Sequence, residues 1–306
     1  MNDKPILSIV TPTRGNFTNY WFEQLMAVKG NIEFILVYPP GVPKQQITDP
    51  RFKIITSQFK GEVMQRSIGL LSASGLYTLA LDDDDYVHPD VLQMVSEYFT
   101  HFPDSWVLRP RMKKIDFTDE ERIRCPWEPI PDFKQLDIAP RRQNNQPILQ
   151  TLPIAPVNNR FDARLMTGAY MRRDMHGAHI ENFNNKVWKT ELVQQTLAEL
   201  ADVMKIKGNL YWIPSWNLDR LLGLFIQAKF FEENKEVGHW MPAPEQIRFI
   251  DRPSSLKELR FHFSSDALLA MRFPQYGYFW NLFFDQFWTA LRQLYEYYIV
   301  TKSNLK

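Results

Sequence analysis

An α/β fold with a mainly parallel central sheet is what this sequence predicts, and three observations predict it. Short apolar runs alternate with segments of helical periodicity over the first hundred residues. Several runs stop at a turn sequence, as at Thr11-Pro12-Thr13-Arg14-Gly15 and Pro39-Pro40-Gly41. The links between runs are short, which suits strands joined by crossover helices that cover both faces of a sheet.

Ile6 to Val10 reads as the first strand, followed by a helix from about Asn19 to Val28. Glu33 to Tyr38 and Phe52 to Thr56 read as the second and third strands. Between Glu62 and Ala73, Met64, Ile68 and Leu71 share one helical face. Ser74-Gly75 stops that helix, with Gly75 suited to a left-handed cap. Leu76 to Leu81 is a further buried strand, and four aspartates follow it. Pro89 opens the next helix, whose stripe runs through Val91, Val95 and Tyr98. Ligands of such sheets bind beyond the carboxyl ends of the strands, which directs attention to Thr11–Arg14, Tyr38–Pro40 and Asp82–Asp85.

The middle of the chain differs. Nine of the 21 prolines fall between Pro103 and Pro156, so long functional or mobile loops are expected there. Helical periodicity returns from Asn185 to Lys205, Leu218 to Phe231, Ser265 to Arg272 and Trp280 to Tyr298. The 306 residues accommodate one or two units with a large core. A hydrophobic share of 44% and a charged share of 23% exclude disordered, collagen-like and disulfide-scaffold classes. Lys+Arg 36 against Asp+Glu 35 leaves a net charge of +1, which provides no field for nucleic acid. Cys125 is the single cysteine, which excludes an internal disulfide and a multi-cysteine zinc site and suits a reducing cytoplasm. Residues Met1 to Pro5 lack the anatomy of a signal peptide. Gln227, Lys229 and Asp285 interrupt the most apolar segments before any is long enough to span a bilayer. The expectation is a cytoplasmic protein, at most peripheral at a membrane.

Asp82-Asp83-Asp84-Asp85 is the sharpest chemical feature. Four adjacent carboxylates repel one another unless they are solvated, protonated or neutralised by a cation. Mg²⁺ and Mn²⁺ take oxygen ligands and complete their shells with water or phosphate. The same run also reads as a solvated turn ahead of the helix at Pro89. Its place after a buried strand favours the metal.

Three segments resemble the inverting family 2 glycosyltransferases of the GT-A fold. Leu7-Ser8-Ile9-Val10-Thr11-Pro12-Thr13-Arg14 is similar to that family's opening strand and nucleotide-side loop. The most specific match is Gly61, Arg66-Ser67-Ile68-Gly69, Ala73 and Gly75, then Leu81-Asp82-Asp83-Asp84-Asp85 and Pro89. Asn185-Lys186-Val187-Trp188-Lys189 resembles a short acceptor-side strand of part of the family. The likeness is good over about residues 6 to 102 and patchy beyond.

The resemblance implies a GT-A domain over residues 1–255, with a nucleotide-binding half to about 102 and an acceptor-side half after it. A helical extension over 256–306 follows. It implies Asp84 as direct metal ligand, with Asp82 at the ribose or metal shell and Mn²⁺ or Mg²⁺ as the cofactor. Asp83 would support the loop, Asp85 would face the donor sugar or cap the helix, and Arg66 would serve the diphosphate or hold the aspartates. Thr11, Pro12 and Arg14 would border base and ribose, and Lys186 and Trp188 would line the acceptor side. Tyr38 stands where the family's strand usually ends in an acid that binds the base, so it would stack on the base instead. The family's catalytic base lies on a later helix, commonly as Glu-Asp. Here Asp219 takes the second position of that pair and Leu218 the first. The bland alternative for Asp219 is a first-turn residue favoured by the helix dipole. Glu181 and Asp202 are the fallback bases.

His176 and His179, followed by Glu181, are a weak metal signal, and packing or surface histidines are the default for them. Cations cluster in the middle of the chain: Arg109, Arg111, Lys113, Lys114, Arg141, Arg142, Arg160, Arg164, Arg172 and Arg173. Solvated loop charge is the default there, and recognition of an acidic or phosphate-bearing acceptor is the functional alternative. The last helix carries Trp280, Phe284, Phe287, Leu291, Leu294 and Tyr298 on one stripe, widened by Phe283 and Trp288. Core packing, a homodimer seam and a peripheral membrane contact are its three readings.

The expected function is therefore transfer of a sugar, with inversion, from a nucleotide-diphosphate sugar to a saccharide, lipid-linked or other hydroxyl acceptor, in polysaccharide or glycoconjugate synthesis. The competing expectation is a GT-A-like binding module without turnover.

Overall fold

Two runs in which every residue is buried, Leu7–Pro12 (β1) and Ile32–Tyr38 (β2), pair in parallel one strand in from the edge of a nine-stranded sheet. Unbroken apolar sequence is what a strand covered on both faces requires. The computed structural model describes residues 4–141, 147–174, 178–202, 216–252 and 263–303. These fall into two compact units. The first takes residues 1–153, 183–215 and 233–252, and the second takes 154–182, 216–232 and 253–306. Each is thus assembled from three separate stretches of the chain. The expected boundary at 255/256 lies outside the described residues.

The first unit holds every strand described. Phe52–Thr56 (β3) adds to β2, and Tyr77–Ala80 (β4) pairs in parallel with the other side of β1. Asn19–Ala27 (α1) begins where the Thr18 hydroxyl accepts the Trp21 amide at 3.0 Å. Glu62–Leu71 (α2) lies so close to the sheet that a Cβ on Gly69 would collide with Val10 and come within 2.9 Å of Val37 Cγ2. Gly75 is not the left-handed cap expected, because its φ is not positive. It is needed for close approach instead: a Cβ there would lie 2.6 Å from Ser8 Oγ and 2.8 Å from Ser8 N. Tyr86–Val87 (β5) and Val91–His101 (α3) follow the aspartates.

The proline-rich middle is built structure rather than long loop. It supplies Val107–Arg109 (β6), Met112–Asp116 (β7), the short helix Glu120–Arg124 (α4), Asp137–Ala139 (β8) and Ile148–Pro153 (β9). Val187–Lys189 (β10), Thr190–Glu199 (α5), Glu236–Trp240 (β11) and Ile247–Asp251 (β12) complete the unit. The large sheet runs β3-β2-β1-β4-β10-β6-β11-β9-β8, and β5-β12-β7 form a small second sheet. β10 is antiparallel to both β4 and β6, so those two strands point the same way and end at one edge.

The second unit is helical. Trp216–Lys229 (α6) buries Leu218, Leu221, Leu222, Leu224 and Phe225, and Phe225 meets Phe273 edge-on at 4.8 Å. Phe263–Arg272 (α7) and Gly277–Ser303 (α8) pack together within this unit. At the start of α8, Tyr278, Phe279 and Leu282 are fully buried core, whereas Trp280, Phe283 and Phe284 of the expected stripe are only half-buried. Farther along, Leu291, Leu294 and Tyr295 are 43%, 48% and 67% exposed. Among the described residues, no helix is long and apolar enough to cross a membrane.

Candidate functional site

β1 continues to β2 on one side and pairs with β4 on the other, so the gap between the carboxyl ends of β1 and β4 is a topological switch point. The four aspartates stand at that place. Asp85 N donates to Asp82 O at 3.2 Å, which folds the run into one tight turn just after β4.

Each carboxylate has a different partner. Asp82, 38% exposed, receives the Arg66 guanidinium, which also reaches Glu62 at 2.6 Å. Arg66 is only 2% exposed; burial alone would lower its pKa, but Asp82 and Glu62 outweigh that and hold it firmly charged. Its Nε and Nη1 are buried without a hydrogen-bond partner. Asp83 accepts the Thr13 hydroxyl at 2.7 Å, tying the loop after β1 to the turn after β4. Burial raises the Asp83 pKa, with the Thr13 bond working against it. Asp84, 31% exposed, meets Arg252 Nε at 3.0 Å. It lines a cavity of about 240 Å³ together with Asn16, Tyr20, Asp83, Glu120 and Arg252.

Asp85 is a correction. Its side chain is 1% exposed and accepts the Ile250 amide at 2.9 Å and the Asn185 amide group at 3.2 Å. Burial drives its pKa well above the usual carboxylate range. It clamps β12 and the residues before β10 to the turn, and neither faces a donor sugar nor caps a helix. Asn185 can do this because it adopts a left-handed backbone, φ 56, a conformation that asparagine tolerates.

Tyr38 is a second correction. It is fully buried in the core, so it offers no free face for a base; burial raises its pKa. Trp188 is a third. It is also fully buried, stacks on Phe183 at 5.5 Å and donates its indole N–H to Phe183 O at 3.0 Å. It packs the sheet and does not line an acceptor. Lys186 is 8% exposed, with Nζ donating to Asn184 O at 3.0 Å. Thr11 is fully buried in β1 with its hydroxyl lacking a hydrogen-bond partner, Pro12 is buried beside it, and Arg14 is exposed.

Three contributors were not among the expected site residues, although Asn185 opens the segment that resembles an acceptor-side strand. Gln65 Nε2 donates to Thr13 O at 3.1 Å and Val37 O at 2.5 Å, binding α2 to the ends of β1 and β2. Asn185 and Arg252 reach the turn from far along the chain. Gln65 adjoins Arg66 on a helix already singled out, which is a signal; Arg252 had none.

In the second unit, Asp219 stands half-buried in the first turn of α6. The fallback Glu181 is poorly suited to a base. It accepts Arg172 and Arg220, each at 2.7 Å, and the Tyr278 hydroxyl. Burial alone would raise its pKa, but His179, the two arginines and Tyr278 together hold it far below the usual range. Arg220 also lies 3.5 Å from Asp266, which is fully buried and which burial pushes up to about 7. Asp202 is exposed. His179 sits beside Tyr278 and Glu181, and His176 lies outside the described residues, as does Arg142.

Carboxylate oxygens are the ligand type that Mg²⁺ and Mn²⁺ require. Among the described residues, no group of three or more His, Cys, Asp or Glu side chains is arranged to hold a metal by itself. Two partly exposed carboxylates, Asp82 and Asp84, match the sparse protein ligation of a cation that substrate phosphates complete.

Residues 42–151 match the glycosyl transferase family 2 profile. No curated protein matches the chain by sequence. Among solved structures it is similar to residues 1–349 of S. aureus TarS in complex with UDP-GlcNAc, with 14% identity and a TM-score of 0.52. That likeness covers 89% of this chain and 67% of the other. The same TarS region in complex with UDP aligns at 15% identity and a TM-score of 0.49, over 89% and 66%. At such identities the similarity is one of fold. The fold is that of the GT-A proteins, and residues 42–151, about a third of the chain including the aspartate turn, match the profile of the family 2 glycosyltransferases.

Proposed function

We propose that the chain transfers a sugar from a nucleotide-diphosphate sugar to an acceptor hydroxyl with inversion, in the synthesis of a polysaccharide or glycoconjugate. The observation that carries this is the half-exposed aspartate turn at the β1/β4 switch point, inside the family 2 segment. Thr11, Pro12 and Arg14 would border the nucleotide, with Arg14 the exposed member that can reach it. Arg66 and Thr13 fix Asp82 and Asp83 so that the turn is already shaped before a ligand arrives. A Mn²⁺ or Mg²⁺ ion held by Asp84, with Asp82 nearby, would neutralise charge on the departing diphosphate. Asp219 would accept the proton of the acceptor hydroxyl as its oxygen bonds the anomeric carbon and the bond from that carbon to the diphosphate oxygen breaks. Lys186 would serve the acceptor side. The distal half of α8 is the surface that a second copy or a membrane would use, and the single cysteine suits a cytoplasmic setting.

A binding module without turnover is favoured by one observation. Enclosed Tyr38 and buried Leu218 occupy the two positions where the family carries further acids. One experiment separates the two. Thermal shifts are measured with a panel of nucleoside diphosphates, UDP first, with and without Mn²⁺, on wild type and Asp84→Ala. Transfer from the matching nucleotide sugar is then assayed. Mn²⁺-dependent stabilisation lost in Asp84→Ala, with transfer by wild type, is the expected result, since ligands raise apparent stability by mass action. Stabilisation undiminished in Asp84→Ala removes the metal assignment. Binding with no transfer to any acceptor identifies the module.

A further inference from the structure

The edge of the large sheet that carries the aspartate turn holds a second charged group. β6 ends at Arg109 and β11 ends at Trp240, and the two residues are partners in register. β4 and β6 are separated by β10 alone. Two strand spacings place Arg109 roughly 10 Å along the edge from the strand that leads into the tetrad.

The Arg109 guanidinium lies 4.0 Å from the centre of the Trp240 ring, and that of Arg111 lies 5.4 Å from it. Both arginines are half-buried. Among the described residues neither has a carboxylate within ion-pair distance. Their neighbours do: Lys113 pairs with Glu245 at 3.9 Å and Lys114 with Asp251 at 2.9 Å. The backbone beneath the arginines is clamped. Arg109 O accepts the Met241 amide at 2.9 Å, and Arg111 O accepts the Gln246 amide at 2.8 Å. Arg111 N donates to the fully buried Gln246 side chain at 2.6 Å. Burial, and then the charge of Arg111, lowers the pKa of Arg109.

Two guanidinium groups gathered on one indole, partly desolvated and held by a rigid backbone, repel each other unless an anion joins them. Forked N–H donors in pairs match the oxygens of a phosphate. We propose that Arg109 and Arg111, aligned by Trp240, bind a phosphate ester carried by the acceptor. The word acceptor rests on the glycosyl-transfer function proposed above; the anion site stands on its own geometry. Donor diphosphate is the other source of the same chemistry.

The test measures binding of glycerol 3-phosphate, and separately of UDP with Mn²⁺, by calorimetry. The proteins are wild type, the double variant R109Q/R111Q, Arg109→Lys and Asp84→Ala. Wild type is expected to bind glycerol 3-phosphate, and the double variant to bind it at least tenfold more weakly while keeping its UDP affinity. Asp84→Ala should show the reverse. Arg109→Lys, which keeps the charge and loses the fork, should fall between, and it preserves the test if the double variant does not fold. Without ligand, the double variant should melt no lower than wild type, because it relieves repulsion. Glycerol 3-phosphate binding that is absent in wild type, or equal in wild type and the arginine variants, overturns the site. Loss of UDP affinity in the double variant assigns the arginines to the donor and overturns it equally. If wild type binds glycerol 3-phosphate but no nucleoside diphosphate, the anion site is upheld and glycosyl transfer is what fails.

Discussion

In the first unit, four carboxylates share one tight turn, three of them partly exposed, and their partners come from four different places in the chain. In the second unit, Glu181 gathers Arg172, Arg220 and Tyr278 around itself, with Asp266 and Asp174 closing the arginines' far sides. Both clusters are made of carboxylates and arginines, and the first leaves Asp83 and Asp84 beside an open cavity. A charge network that neutralises itself in the interior orders the helices around it and has little left for a ligand. An acidic turn that is only partly neutralised retains that capacity. Sequence puts Asp82 in a metal-side role and Glu181 in reserve as a base; exposure and partners show why Glu181 fails that reserve role.

That contrast can be broken by changing one carboxylate at a time. The largest effect is expected at Asp219→Asn, where turnover should fall by roughly two to four orders of magnitude, the usual contribution of a general base. Donor affinity and melting temperature should be nearly unchanged; near-normal transfer would end the assignment. Glu181→Gln should do the opposite. It leaves two buried guanidiniums without their shared anion and should cost about 3 to 5 kcal/mol in denaturant unfolding. Unchanged stability would show that the cluster is not structural.

Asp266→Asn sharpens the comparison through pH. Burial, aided by the charges of Glu181 and Asp285, outweighs Arg220 and Arg172 and raises Asp266 from 3.8 to about 7. Between those values the folded chain keeps a proton that the unfolded chain has lost. Stability from this group is therefore full below pH 3.8 and declines as pH rises toward about 7. The asparagine variant should lose that slope and gain at most about 4 kcal/mol at pH 8. A slope identical to wild type would refute it. The smallest effect is expected at Arg252→Gln, since an exposed pair contributes under about 1 kcal/mol. Its melting temperature should hold, and Mn²⁺-dependent UDP affinity should stay level or rise a few-fold as Asp84 is released. A tenfold loss would instead make Arg252 a nucleotide contact.

The first hundred residues were legible because their strands are local, continuous apolar runs with turn residues at the ends. The tetrad was legible because it follows such a run directly. Tyr38 and Trp188 were misjudged for one reason: an aromatic in a strand reads the same whether it faces a ligand or the core. Asp85 looked like its neighbours because what distinguishes it, Ile250 and Asn185, lies 165 and 100 residues away. The prolines hid β6 to β9, which are short and gain their stability from pairing rather than from propensity. Arg109 and Arg111 were visible as charge, but the indole that gathers them arrives only through β11.

Gly69 sets a length that the chemistry inherits. With only a hydrogen toward Val10 and Val37, α2 lies closer to β1 and β2 than a side chain at position 69 would allow. From there, Arg66 meets Asp82, and Gln65 donates to Thr13 O and Val37 O. A methyl group at position 69 would act as a shim. It would lift the helix as a body, and the tolerance of Asp82 for such a lift is the slack in one guanidinium contact. The helix-to-sheet spacing beside the aspartate turn is therefore set by a residue that carries no side chain at all.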